Sequence, residues 1–298
     1  MPTISNDLAD YLNEKKATLG EDSYKVYRLF GEKFGKWLSD NGLNDLATNR
    51  LTPVQCNNYR AFILKLHSHP TTRNKEINQL KIFCNYYTEL THQRFKVSPA
   101  APLKFVGKVE SEMHEPYTDE QAAAIIGEIL EREDYYLLLF IYLIYYAFTR
   151  PGKEARLLKV KDFKTHNIII RSARSKTKRL KGPTITKAIE ELVTHLGVRN
   201  YDPNFYVFGS EGVPGVEPVG KGCFYHRHRQ ILIKLGIAKQ GKYTIYGWKH
   251  SGNIRGLLLG ISERSLIEQN GFADKRTFDI YVRRLSAYHN SELYEKFI

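Results

Sequence analysis

A stretch at 96–117 breaks the hydrophobic periodicity and divides the chain into two parts that cannot fold alike. Pro99, Pro102, Gly107 and Pro116 fall within it, and little apolar pattern survives between them, which predicts an interdomain linker. Residues 1–95 read as all-helical. Tyr24, Tyr27, Phe30, Phe34 and Leu38 recur at helical spacing over 23–38. Thr52-Pro53 opens a second helix, with Thr as N-cap and Pro in the first turn, carrying Tyr59, Phe62, Ile63 and Leu66. Thr71 or Thr72 is expected to cap a third, whose stripe is Ile77, Leu80, Phe83, Cys84 and Tyr87. Arg60, Lys65, Arg73, Lys75 and Lys81 lie on the other faces, either as solvated surface or as a surface for a polyanion.

Beyond the break the pattern is mixed. Thr118 to Gln121 reads as a capping box. Alternating apolar positions at 167–171 and 183–186 flank a cation-rich turn, which predicts a β-hairpin. Helices are expected over 187–196, 221–235, 248–259, 262–269 and 275–285, with a short strand at 205–208. The fold class is therefore mainly α with a small β-sheet. It comprises a helical N-terminal domain (1–95), the linker (96–117) and an α+β domain with a C-terminal tail (118–298).

Charge is segregated in this second part. Residues 111–134 hold eight acids against one arginine, and 150–187 hold thirteen Lys or Arg against Glu154 and Asp162. So dense a like-charged block repels itself unless a partner neutralises it. The whole chain of 298 residues carries a net charge of +13, which favours a polyanionic partner. The longest apolar run, 135–148, is too short to span a bilayer, and no basic-then-apolar leader opens the chain. A cytoplasmic, nucleoid-associated protein without membrane contact is expected. Cys56, Cys84 and Cys223 lack metal-site or disulfide-framework spacing and read as free thiols. His226 and His228 are interleaved with arginines and read as a basic helix face rather than a metal site.

The chemistry-bearing residues stand in four places. Arg150 emerges from the apolar run into a Pro-Gly turn, with Glu154 one helical turn on to orient it, an arrangement suited to clamping phosphate. The hairpin turn carries Arg174, Lys176, Lys178, Arg179 and Lys181. Tyr246-Gly-Trp-Lys249-His250-Ser251 sets a cation beside a His-Ser pair at a helix start, and Tyr281 follows a Gly271-Phe272 break. A cation that holds a phosphate oxygen, with a tyrosine that attacks phosphorus, suggests covalent phosphoryl transfer.

This order resembles the tyrosine recombinases, the phage-integrase family, over essentially the whole chain, and in its Tyr-x-Trp-Lys-His variant it resembles integrases of Bacteroidetes mobile elements. Arg150, Glu154, Leu157-Leu158 and Asp162-Phe163 match the family's first motif with one extra residue between Arg and Glu. Tyr246 and Lys249 replace the His and Arg of its second motif, and Phe272 stands where His or Trp is usual. The resemblance implies Tyr281 as nucleophile, Arg150 and Lys249 as phosphate clamps, and Lys176 as the hairpin lysine, with Lys178 as runner-up. It implies DNA contacts from Arg174, Lys178, Arg179, Tyr246 and His250. Tyr246 and Phe272 also read as packing residues. Arg255 lies near the opposite helix face from Lys249 and is not expected to substitute for it.

The implied activity is site-specific cleavage and rejoining of double-stranded DNA through a 3′-phosphotyrosyl link, with neither metal nor cofactor. The implied partners are duplex DNA and further protomers of the same chain, and the resemblance allows an accessory DNA-bending or excision factor. Two rivals remain: a type IB topoisomerase-like nicking-closing enzyme, and a recombinase-derived DNA-binding protein without catalysis, which the lost imidazoles favour.

Overall fold

Edge-to-face aromatic side chains organise the first unit. The computed structural model describes residues 2–107, 114–175, 179–238, 242–272, 274–276, 278–279 and 281. The chain divides into two compact units, Met1–Ser111 and Glu112–Ile298. In the first, α1 (Ile4–Thr18), α2 (Glu21–Asp40), α3 (Pro53–Leu66) and α4 (Pro70–Tyr86) enclose one core. Phe34 of α2 meets Tyr59 of α3 edge-on at 4.9 Å and Phe83 of α4 at 5.7 Å, and Tyr11 of α1 meets Phe83 at 5.4 Å. The expected cap of α3 forms as a capping box between Thr52 and Gln55. That of α4 differs: the Thr71 amide donates to His69 Nδ1, and Pro70 occupies the first turn, where its fixed φ starts the helix earlier than either threonine could.

The stretch read as linker is shared between the units. Ala100 and Leu103 are buried in the first core. Asn74 brackets Val106 with bonds to both its carbonyl (2.9 Å) and its amide (2.8 Å). Arg60 and Lys81 donate to the carbonyls of Lys104 and Ala101, so these two cations tie chain to chain. From the other side, the Glu115 amide bonds Lys242 and Tyr117 joins the second core.

In the second unit α6 (Tyr135–Tyr145) is buried on nearly every face, as an apolar run without polar periodicity requires. Around it pack α5 (Asp119–Glu131), α7 (Lys187–His195), α8 (Cys223–Lys234) and α9 (Gly247–Leu258), followed by α10 (Glu263–Asn270). Thr118 and Gln121 form the expected capping box. The extended segments pair antiparallel at single positions, Phe163 with Ile168, Asn167 with Thr184, Ile170 with Lys181 and Lys159 with Tyr206. They form a ribbon of isolated bridges in place of the continuous small sheet expected, because the paired arms are short and Pro183 has no N–H to donate. No helix among the described residues is long and apolar enough to cross a membrane.

The segregated charges meet inside this unit. Arg227 of α8 pairs with Asp134 in two hydrogen bonds, and Lys234 pairs with Glu128 at 2.7 Å. Part of the acidic block therefore neutralises the basic helix beside it. His228 is not on a basic surface: it is 1% exposed, its Nε2 accepts from the Trp248 indole at 3.0 Å, and burial pushes its pKa down to about 3. Among the described residues no group of three His, Cys, Asp or Glu side chains gathers as a metal-ligand set.

Helix α9 crosses α6 at close range through Gly252, where a Cβ would lie 2.0 Å from the Tyr145 carbonyl oxygen. Gly252→Ala is expected to lower stability by about 1–3 kcal/mol through overpacking. Gly127→Ala, in α5 with open space around it, is expected to raise stability by about 0.8 kcal/mol through helix propensity. Denaturant melts of the two variants check this, and a neutral Gly252→Ala would contradict the close crossing.

Candidate active site

The turn after α6 fixes the direction of Arg150. Phe148 has φ 49°, a left-handed conformation that costs a non-glycine residue about 1–3 kcal/mol and persists only where neighbours enforce it. Four hydrogen bonds do so. The Thr149 amide and hydroxyl both donate to the Leu143 carbonyl, at 3.1 and 2.9 Å. The Phe148 carbonyl accepts from Lys249 Nζ. The Arg150 amide donates to Glu154 Oε2 at 2.9 Å.

The extra residue between Arg150 and Glu154 is absorbed by a turn of π-helix over Pro151–Ala155. Its hydrogen bonds run five residues back, from Ala155 N to Arg150 O and from Arg156 N to Pro151 O. The wider turn keeps the carboxylate under the arginine, and Arg150 Nη1 reaches Glu154 Oε1 at 2.7 Å. Glu154 is 1% exposed. Burial would raise its pKa, yet Lys181 and Arg150 together hold it below the usual carboxylate value.

Lys181 is the unforeseen member. It stands on the returning arm of the hairpin, opposite Ile170, and its Nζ lies 3.0 Å from each Glu154 oxygen. Nothing in the local sequence sets it apart from the other hairpin cations. The sequence places it in the turn; the pairing with Ile170 extends the returning arm to include it. The two lysines expected to act, Lys176 and Lys178, lie outside the described residues. Arg179 is exposed on the hairpin. Arg174 is committed to the protein instead of being offered outward: it pairs with Asp162 at 2.7 Å and donates to the Leu157 carbonyl at 2.6 Å. It lies close enough to Asp162 in the chain fold to complete a buried ion pair, and this overrides its place in the cationic turn.

Lys249 is fully buried. It does not stand open at a helix start; its Nζ lies over the Phe148 ring at 5.7 Å and the Phe272 ring at 5.4 Å. Burial pushes its pKa well below the ordinary value, Lys181 and Arg150 add to the fall, and Glu154 opposes it. Ser251 is structural: its hydroxyl accepts from the Tyr117 amide and donates to the Gly247 carbonyl. Arg255 reaches toward Asp119 at 3.5 Å and stays apart from the cluster.

Ring contacts connect the clamp to the tyrosine. Burial raises the pKa of the Tyr246 hydroxyl, nearby Arg150 opposes that rise, and the Tyr246 ring lies 5.4 Å from His250. His250 lies 5.2 Å from Tyr281, which is 4% exposed and also packs against Phe278 (5.7 Å) and Phe272 (6.1 Å). Residues 275, 276, 278, 279 and 281 are helical, as expected for the segment carrying the tyrosine. Arg150, Lys249, Tyr246, His250 and Tyr281, scattered through the second half of the sequence, thus belong to one cluster with Glu154, Lys181 and Phe272.

Solved structures share this architecture. A Tn1549 transposon integrase in complex with circular intermediate DNA superposes with a TM-score of 0.68 at 13% identity, over 94% of this chain and 95% of that one. A lambda integrase dimer bound to a COC′ core site gives 0.74 at 13% identity, over 94% and 77%. XerH site-specific recombinase bound to difH gives 0.68 at 15% identity, over 99% and 86%. This is the tyrosine-recombinase fold. No family model and no curated protein matches the chain by sequence. Within the recombinase fold, the Arg-to-Glu insertion is accommodated by the π-turn, and Phe272 serves as packing between Lys249 and Tyr281.

A lysine whose pKa falls on folding binds fewer protons in the native than in the unfolded chain. Stability then rises with pH between the depressed native value and the ordinary value of about 10.4. Lys249→Met is accordingly expected to melt above the wild type at pH 7, with the gap narrowing toward pH 10. Thermal melts across that range check it, and a variant that melts lower at every pH would contradict a strained buried amine.

Proposed function

We propose that the protein is a site-specific DNA recombinase or integrase that cleaves and rejoins DNA through a 3′-phosphotyrosyl intermediate at Tyr281. The observation that carries this reading is the cluster joining the Arg150–Glu154 clamp through Tyr246 and His250 to Tyr281, in a chain of net charge +13. The DNA complexes among the fold's neighbours support duplex DNA as partner. The lambda integrase dimer, and a tetramer bound to a Holliday junction, support assembly of several copies on DNA.

In the proposed reaction the Tyr281 oxygen attacks the scissile phosphorus. A bond from the Tyr281 oxygen to the 3′-phosphate forms as the phenolic proton passes to solvent, the bond to the 5′-oxygen breaks, and that oxygen leaves as a hydroxyl after taking a proton. Arg150 is assigned to the non-bridging oxygens, where charge develops. Lys249 assists from beneath, through the Phe148 carbonyl that it fixes and through its own charge when protonated. Lys176 is the proposed proton donor. The phosphotyrosyl bond conserves the energy of the cleaved phosphodiester, so rejoining by the 5′-hydroxyl needs neither a nucleotide nor a metal. His250 and Tyr246 line the path between clamp and nucleophile, and Arg179 is the described hairpin cation assigned to the DNA backbone.

The burial of Lys249 and Tyr281 favours one other reading, a recombinase-derived DNA-binding protein without catalysis. Covalent trapping separates the two. A nicked suicide duplex in excess EDTA is expected to give a protein–DNA adduct with the wild type and none with Tyr281→Phe, at equal DNA affinity. A strict magnesium requirement with a free 3′-hydroxyl product would contradict the tyrosine mechanism, and the lack of any adduct on cognate DNA would favour the binding protein.

Binding should weaken steeply with salt. Arg179→Gln is expected to reduce the slope of log affinity against log salt by about one, the effect of losing one phosphate contact. Arg174→Gln is expected to lower the melting temperature and leave the slope unchanged, because its guanidinium bonds Asp162 and Leu157. Equal slopes for wild type and Arg179→Gln would place Arg179 away from DNA.

A further inference from the structure

We propose that Lys181 is a positioning residue for the phosphate clamp: from the returning arm of the hairpin it holds Glu154, so that Arg150 keeps both its direction and a net positive charge for the scissile phosphate. The proposal rests on the DNA-cleaving reading above. It adds a residue that the motif comparison does not supply.

Three observations carry it. First, the charge count within the cluster is uneven. A single buried carboxylate, Glu154, faces two cations, Arg150 at 2.7 Å and Lys181 at 3.0 Å. Arg150 with Glu154 alone would form a neutral pair with little attraction for a phosphate. With Lys181 protonated, the three groups Arg150, Glu154 and Lys181 together carry one net positive charge in a water-poor site, where such charge acts strongly.

Second, the geometry is fixed from both sides of the carboxylate. Lys181 Nζ bonds both oxygens, while Oε1 also accepts from Arg150 Nη1 and Oε2 from the Arg150 amide. Two oxygens with four donor contacts leave the carboxylate plane no freedom to rotate, and the guanidinium follows it. Lys181 itself is held by paired backbone bonds with Ile170, at 2.9 and 3.0 Å.

Third, the lysine stem reaches toward the nucleophile. Gly271, with φ 63°, ends α10 directly before Phe272, and a Cβ there would lie 2.6 to 2.8 Å from Lys181 Cε, Cδ and Cγ. The absence of a side chain at 271 leaves room for the lysine. Lys181 therefore touches both the clamp and the segment that leads to Tyr281. With its side chain 3% exposed and its Nζ engaged by Glu154, it acts through these neighbours and not on the DNA directly.

A double-mutant cycle on the full chain tests this. Adduct formation is followed in single turnover on a nicked suicide duplex at saturating DNA for wild type, Lys181→Met, Glu154→Gln and the double variant. Lys181→Met is expected to slow the covalent step by about 10–100-fold, the range for loss of a supporting partner at metal sites, with the half-saturating DNA concentration unchanged. In the Glu154→Gln background the same substitution should cost much less, since the carboxylate it holds is gone. A wild-type rate for Lys181→Met, or an equal loss in both backgrounds, would overturn the proposal. Should Lys181→Met melt below the assay temperature, Lys181→Gln takes its place, keeping a donor to Glu154 without the charge. Absence of an adduct from the wild type would count against the proposed function alone. Lys181 would then be judged by the side-chain Nε–H order parameter of Arg150, expected to be high in the wild type and low in Lys181→Met; an unchanged value would overturn the positioning role.

Discussion

The Glu154 carboxylate is the interaction on which the site depends. It is buried, yet stays ionised because Arg150 and Lys181 face it and the Arg150 amide donates to it. Removing one partner from such a buried ion pair typically costs about 3–5 kcal/mol, because the other charge is left without compensation. The turn after α6 is arranged around this carboxylate. Helix α6 supplies a rigid end, the left-handed Phe148 turns the chain, and the π-turn places Glu154 beneath the arginine that precedes it.

The same logic explains why so basic a chain folds. Much of its charge is compensated within the second unit: Arg227 and Lys234 by the acids of the preceding helical region, Arg174 by Asp162, and Lys181 by Glu154. Among the described hairpin residues, Arg171 and Arg179 remain exposed. Density of charge in the sequence is thus a poor guide to which cations face a partner. A cation within reach of a buried carboxylate is held there, and the neighbours left on the turn are the ones available to a polyanion.

Elements governed by local chemistry were legible in the sequence. The N-cap at Thr52, the capping box at Thr118, Pro53 at a helix start and the apolar run of α6 depend on residues a few positions apart, and each stands where the pattern put it. The motif order that ends in Tyr281 led to the fold that the solved structures share. Features that depend on distant partners were not legible. His228 looked like part of a basic face because Trp248, its hydrogen-bond partner, lies on another helix. Lys249 read as a phosphate clamp at a helix start, and its burial was not foreseen, because neither the Phe148 carbonyl nor the Phe272 ring is near it in sequence. Lys181 was one cation among several until the hairpin brought it to Glu154.

The most direct test of the account is to locate the covalent bond. After trapping on a nicked duplex, nuclease trimming and trypsin digestion, mass spectrometry should find the residual nucleotide on the peptide spanning 277–283, whose single tyrosine is Tyr281. A nucleotide found instead on a peptide carrying Tyr243 or Tyr246, or no nucleotide-bearing peptide at all from protein bound to its cognate site, would contradict the assignment of Tyr281 as nucleophile.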